Sequence, residues 1–167
     1  FLSSFYKVLK DELNIANALL HKSNILLFEK DFLGSEAQTI KALDIAKQQK
    51  DNELVYECYV NLGSSLLGLK NYGKALEYHN KALNQIDKIE IEHYKPILKA
   101  QTYNNIGFVY LNLNLFKEAI KFFSKGLEIE NIKELHPALY TSLLDYLAYS
   151  KFKSNKDEGL KEKISNP

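Results

Sequence analysis

The sequence predicts an all-α chain built from repeated antiparallel helix pairs. Three observations carry that expectation. Apolar residues recur at helical spacing along nearly the whole chain. Gly (7) and Pro (3) are scarce among 167 residues, which disfavours a turn-rich β fold. The chain also matches itself when displaced. At an offset of 40, Leu26, Leu27, Lys30, Lys41, Ala42 and Leu43 fall on Leu66, Leu67, Lys70, Lys81, Ala82 and Leu83. At an offset of 44, Tyr59, Asn61, Gly63 and Leu67 fall on Tyr103, Asn105, Gly107 and Leu111, and Ala75, Lys81 and Leu83 fall on Ala119, Lys125 and Leu127. Self-similarity at such a period is the signature of stacked supersecondary units.

The elements follow in order. Phe1–Lys10 reads as the tail of a helix from a preceding unit. A first unit covers residues 13–50, with Ser35 and Gln38 as a capping box that opens its second helix. The second unit covers 53–92. Asp51 caps its first helix, Leu54, Val55, Cys58, Tyr59, Leu62, Leu66 and Leu69 form the apolar stripe, and Asn71-Tyr72-Gly73 makes the turn. The extra residues in Asn84–Lys99 lengthen its second helix up to the His93-Tyr94-Lys95-Pro96 junction. The third unit covers 96–131: Pro96 opens a helix where its missing N–H is harmless, and Leu113-Asn114-Leu115 breaks it. A fourth unit, 137–165, starts at Pro137 and places Gly159-Leu160 in its second helix. Together they form one array over 1–167.

The residues at fixed offsets resemble a known family. The second unit supplies Tyr59, Leu62-Gly63, Leu66, Ala75, His79 and Ala82, and the third supplies Tyr103, Ile106-Gly107, Tyr110, Ala119, Phe123 and Gly126. This is the pattern of the tetratricopeptide repeat. The first unit is degraded, with Leu19, Ser23, Leu26, Ser35, Thr39 and Ala42 at those offsets. In the fourth, Leu147-Ala148 stands for Leu-Gly. The resemblance implies a right-handed superhelical array of antiparallel helix pairs. Small residues at Gly63, Gly107, Ala75 and Ala119 would let paired helices approach. The long spacing resembles the repeats of bacterial sensor histidine kinases, peptide-responsive regulators and repeat-bearing transcription factors, and Ser142–Lys153 resembles the last repeat before the signalling segment of such kinases.

Composition narrows the function. Net charge is +1, and the basic residues are all Lys. Without Arg, the preferred fork for phosphates and base edges is missing, which argues against nucleic-acid partners. Cys58 is the single cysteine; it excludes an internal disulfide and reads as a buried small hydrophobe. The longest uncharged run, Ala100–Phe116, carries six Asn, Gln and Thr side chains and makes a poor membrane span. The chain starts at Phe1 without Met and reads as part of a longer polypeptide. His21, His79, His93 and His136 have no helical i, i+3 or i+4 partner histidine, so no metal site and no cofactor is expected. His79 reads as packed and His93 as solvated. No nucleophile, phosphate loop or acid–base pair suggests an enzyme.

In the resembled family the first helix of each pair lines a concave groove. Its offsets fall on Asn17, His21 and Asn24, on Glu57, Asn61 and Ser64, on Gln101, Asn104, Asn105 and Phe108, and on Asp145, Tyr146 and Tyr149. Asn24, Asn61, Asn105 and Tyr149 are then expected to be at least partly exposed. Two readings stand for Asn61 and Asn105: they bond an extended peptide, or they bond within the array and hold helices in register. Phe108, Tyr146 and Tyr149 either pack between repeats or meet a partner. The cations of the family's chaperone-tail clamp are absent from Leu20, Asn24, Gln101 and Asn105. The function expected is a protein- or peptide-binding module, as the sensory or scaffolding segment of a signalling protein such as a histidine kinase. Alternatives are a transcriptional regulator's repeat segment or a self-associating scaffold. The segment would be extracytoplasmic in the first case and cytoplasmic in the second.

Overall fold

The computed structural model describes residues 2–165, and side chains for residues 11–156. All of the regular structure among these residues is helical. Two compact units divide the chain, residues 1–92 and 93–167.

The first unit holds α1 (Leu2–Phe28), α2 (Phe32–Gln49), α3 (Asn52–Gly68) and α4 (Tyr72–Gln85), each packed on the next. The turns that reverse the chain are built alike. Lys30, Lys50 and Lys70 each take a left-handed conformation, with φ of 64°, 57° and 60°. The amide after each bonds back into the helix: Asp31 N–H to Leu26 O, Asp51 N–H to Ala46 O and Asn71 N–H to Leu66 O. These are Schellman caps with lysine where glycine is usual. The next side chain then caps the following helix. Asp31 accepts from Gly34 N–H, Asp51 from Leu54 N–H and Asn71 from Lys74 N–H.

The core of this unit collects Ala16, Leu20, Ala42, Leu43, Ala46, Leu54, Val55, Cys58 and Leu62. Burial pushes the Cys58 thiol up to about 12, so it remains a thiol packed among hydrocarbons.

The second unit holds α5 (Lys95–Asn112), α6 (Phe116–Leu127), the short α7 (Ile132–Leu135) and α8 (Pro137–Ser165). Pro96 sits in the first turn of α5. Asn114 provides the left-handed turn residue at 58°, and Leu115 N–H bonds to Tyr110 O. Ala100, Ala119, Phe123, Ile132, Leu139 and Leu143 form its core.

Four expectations are corrected. Residues 2–10 belong to α1 itself and not to a preceding unit, because no Gly or Pro interrupts the chain before Phe28; Phe1 lies outside the described residues. The cap of α2 is Asp31, and Ser35 lies buried inside the helix. The extra residues after Asn84 do not lengthen α4. The helix ends at Gln85, whose amide donates to the carbonyl and side-chain oxygens of Asn52 at the start of α3. The chain then folds into short 3-10 turns at Ile86–Lys88 and Glu92–Tyr94, burying Ile86 and Ile89. The fourth unit is not a helix pair. α8 runs unbroken to Ser165, since one glycine at 159 among helix formers costs about 1 kcal/mol and does not by itself turn the chain.

Candidate functional site

Helix pairs must be held together before their outer faces can present anything. At the crossing of each pair, the sequence solves the same packing problem with different chemistry. Gly63 faces His79 and Gly107 faces Phe123, a small residue under a large one. In the first pair both are of middle size, and Ser23 Oγ meets Thr39 Oγ1 at 2.6 Å.

That hydroxyl contact extends into a buried chain that the sequence reading missed. Ser35 Oγ lies 2.8 Å from Ser23 Oγ and 2.8 Å from Ser65 Oγ, joining α1, α2 and α3. Thr39 also donates to Ser35 O, and Ser65 donates to Asn61 O. All four hydroxyl residues are fully buried. The only sequence signal was the appearance of Ser and Thr at offsets where the later units carry Gly, Ala and aromatic or His residues.

Asn61 joins this network. Its amide donates to Asn24 Oδ1 at 2.6 Å and to Ser23 Oγ at 3.3 Å. It is 9% exposed, which corrects the expectation of an open groove position. A polar side chain at the edge of a hydroxyl network is better satisfied inside it than in water.

The other positions of the first unit lie outward. Asn17, His21 and Asn24 are exposed on one face of α1, at i, i+4 and i+7. Glu57 is exposed on α3, and Ser64 is half-buried. Asn17 donates to Leu13 O and Ser64 to Val60 O, so each keeps acceptor capacity on its outer side. The Glu57 carboxyl is held above its ordinary range, first by crowding that strips water, then by Glu53 and Asp51, with His21 opposing them. α1 and α3 touch directly, and Asn61 of α3 bonds Asn24 of α1, which brings these two faces side by side.

In the second unit Gln101, Asp145 and Tyr149 are exposed, while Asn104, Asn105, Phe108 and Tyr146 are half-buried. Phe108 and Tyr146 pack on each other with ring centres 5.2 Å apart, and Tyr146 stacks on Phe123 at 5.5 Å. These two serve the core first. Asn104 Oδ1 is buried without a hydrogen-bond partner. Lys153 lies over the Tyr149 ring.

No group of three or more His, Cys, Asp or Glu side chains that could hold a metal occurs among the described residues. None of the described helices is long and apolar enough to cross a membrane. Of the histidines, His93 is exposed beside Tyr94 and His79 is buried.

Helix pairs with small-on-large crossings, joined by near-identical turns and carrying polar outer faces on their first helices, define an α-helical repeat protein. The chain belongs to the tetratricopeptide repeat family, whose profiles match residues 14–88 and 100–130. It is 28% identical over 104 residues to outer dynein arm-docking complex subunit 4 of Danio rerio, covering 57% of this chain and 21% of that protein. Among solved structures it resembles the apo form of RapI, with a TM-score of 0.73 and 26% identity over 86% of this chain and 51% of that one. A TPR-like protein of Chlorobium tepidum matches with a TM-score of 0.62 and 17% identity, over 84% and 97%. The last likeness shows the fold alone. The chain thus spans about a fifth of the curated relative and half of RapI.

Proposed function

We propose that this chain binds an extended peptide or a segment of another protein along the polar face of its first unit. Repeats of this family are generally protein-interaction modules, and that coarser statement holds for the chain. The observation that carries the finer reading is the row Asn17, His21 and Asn24 on α1 beside Glu57 on α3. It offers donors and acceptors at one-turn intervals to a peptide backbone, and one carboxylate to a basic or amide side chain. Asn61 fixes the Asn24 carbonyl, so the Asn24 amide is aimed before a ligand arrives. Pre-orienting a side chain spares its ordering cost on binding.

A role as the sensory or scaffolding segment of a larger signalling protein is supported by the long repeat spacing and by the likeness to the apo form of RapI.

The test starts from a displayed library of random extended peptides selected on the chain, followed by affinity measurements on the selected peptide. His21→Ala and Glu57→Ala should each weaken binding by about 1 kcal/mol or more, with melting temperature unchanged because both residues are exposed. Selected peptides that bind both variants as tightly as the original would overturn the assignment.

A further inference from the structure

The buried hydroxyls of the first unit compete for hydrogens. Ser23, Ser35, Thr39 and Ser65 are all 0% exposed, so bulk water supplies none, and each hydroxyl carries a single hydrogen. Carbonyl oxygens only accept. The Thr39 hydrogen is therefore spent on Ser35 O, 2.8 Å away, and the Ser65 hydrogen on Asn61 O, 2.9 Å away. Ser65 can then only accept across its 2.8 Å contact with Ser35, which takes the Ser35 hydrogen. That leaves Ser23 as the one possible donor to Thr39, at 2.6 Å, and also to Ser35, at 2.8 Å. Ser23 has one hydrogen for two acceptors. The Asn61 amide does not relieve the shortage, because it too donates to Ser23 Oγ, at 3.3 Å. The crossings at Gly63 and Gly107 are filled by rings and hold no such contest.

We propose that the Ser23 hydroxyl is a two-position switch, donating to Thr39 or to Ser35, and that a ligand held by Asn24 selects the position. The second half rests on the binding face proposed above. The link is Asn61, whose amide reaches both Asn24 Oδ1, at 2.6 Å, and Ser23 Oγ. A hydroxyl's hydrogen and lone pairs turn together about the Cβ–Oγ bond. Drawing Asn61 toward Ser23 or away from it moves the place where a lone pair is needed, and the hydrogen swings with it. Ser35 and Thr39 lie one turn apart on α2, so each position ties α1 to a different turn of that helix. Two hydroxyl oxygens with no hydrogen between them repel, so the unserved contact lengthens. A shift at the face between α1 and α3 thereby reaches α2 through buried groups alone.

Removing one acceptor at a time tests the switch without a ligand. In Thr39→Val the Ser23 hydrogen goes to Ser35, and in Ser35→Ala it goes to Thr39, so each single variant leaves it an acceptor. With both substitutions it has none. The double variant should therefore lose more in melting temperature than the two single variants together, by on the order of 2–4 °C, the equivalent of one buried hydrogen bond. Losses that simply add, or a double variant better than their sum, mean that Ser23 is fixed on one acceptor and sink the proposal. Neutron diffraction gives a second reading. Deuterium on Ser23 Oγ should be divided between the two directions in the unsubstituted chain and confined to the Ser35 direction in Thr39→Val. A single direction in the unsubstituted chain overturns the switch.

Coupling to the face is read with a peptide selected on the chain from the displayed library. Thr39→Val and Ser35→Ala lock Ser23 in opposite positions, and both residues are buried. They should move the peptide's affinity several-fold in opposite directions. Affinities that stay the same, or change in the same sense, overturn selection of the position by the ligand. If the library yields no peptide, the binding face itself fails, while the melting and neutron results still decide the switch.

Discussion

The imidazole of His79 occupies the space that a side chain would need at Gly63: a Cβ on that glycine would lie 2.4 Å from the ring's Cε1. The relationship ties the two helices of the second repeat together and buries a titratable ring, 1% exposed and with its Nδ1 unpartnered. The third repeat does the same with Gly107 and Phe123, without the ionisable group. Three predictions about stability follow from crossings of this kind.

Burial pushes the His79 imidazole down to about 4, so it is neutral in the folded chain near pH 7. An unfolded histidine titrates near 6.5. Between those values the unfolded state takes up a proton that the folded state refuses. This group's contribution is therefore complete above about pH 6.5 and is lost as pH falls toward 4, by on the order of 3 kcal/mol. His79→Phe copies the third repeat and should flatten the decline in melting temperature between pH 7 and 4. Parallel curves for the two proteins would show that protonation of His79 does not set acid stability.

Gly107 should tolerate nothing larger. Its missing Cβ would lie 2.6 Å from Phe123, so Gly107→Leu should cost about 1–3 kcal/mol or more by overpacking. Gly73 is the control. It lies in the first turn of α4 with nothing within 4 Å of a built Cβ and without a positive φ. Gly73→Ala should be neutral or stabilise by up to about 1 kcal/mol. Chemical denaturation of both variants measures the contrast, and equal effects would contradict the crossing geometry.

The hydroxyl network makes Asn61 a structural residue. Asn61→Ala removes the donor to Asn24 and Ser23 and should cost about 1 kcal/mol. Asn24→Ala, at an exposed position, should change stability by about half of that or less. Ser35→Ala takes the residue found at Ala75 and Ala119, yet strips partners from Ser23 and Ser65, and should also cost about 1 kcal/mol. Melting temperatures that rank Asn24→Ala as the most damaging would overturn the structural role given to Asn61 and Ser35.

The sequence by itself determined the repeats, the all-helical class and most helix ends. Those features are local or periodic: the caps at Asp51 and Pro96 and the break at Leu113–Leu115 act within a few residues. It also marked Gly63 and Gly107 as points where paired helices approach, because repetition displays the same offset twice; which bulky ring sits there, His79 or Phe123, came from the packed chain. Tertiary structure decided the rest. Whether Asn61 faces a ligand or Asn24 depends on where α1 lies against α3, and Ser23, Ser35 and Ser65 meet only because three helices bring them together. The end of α4 at Gln85 was set by the start of α3 at Asn52, a neighbour distant in sequence. The unbroken run of α8 reflects a balance in which one glycine does not outweigh its helix-forming neighbours. Periodicity says which side of a helix is apolar; only the packed chain says which of those sides has a partner.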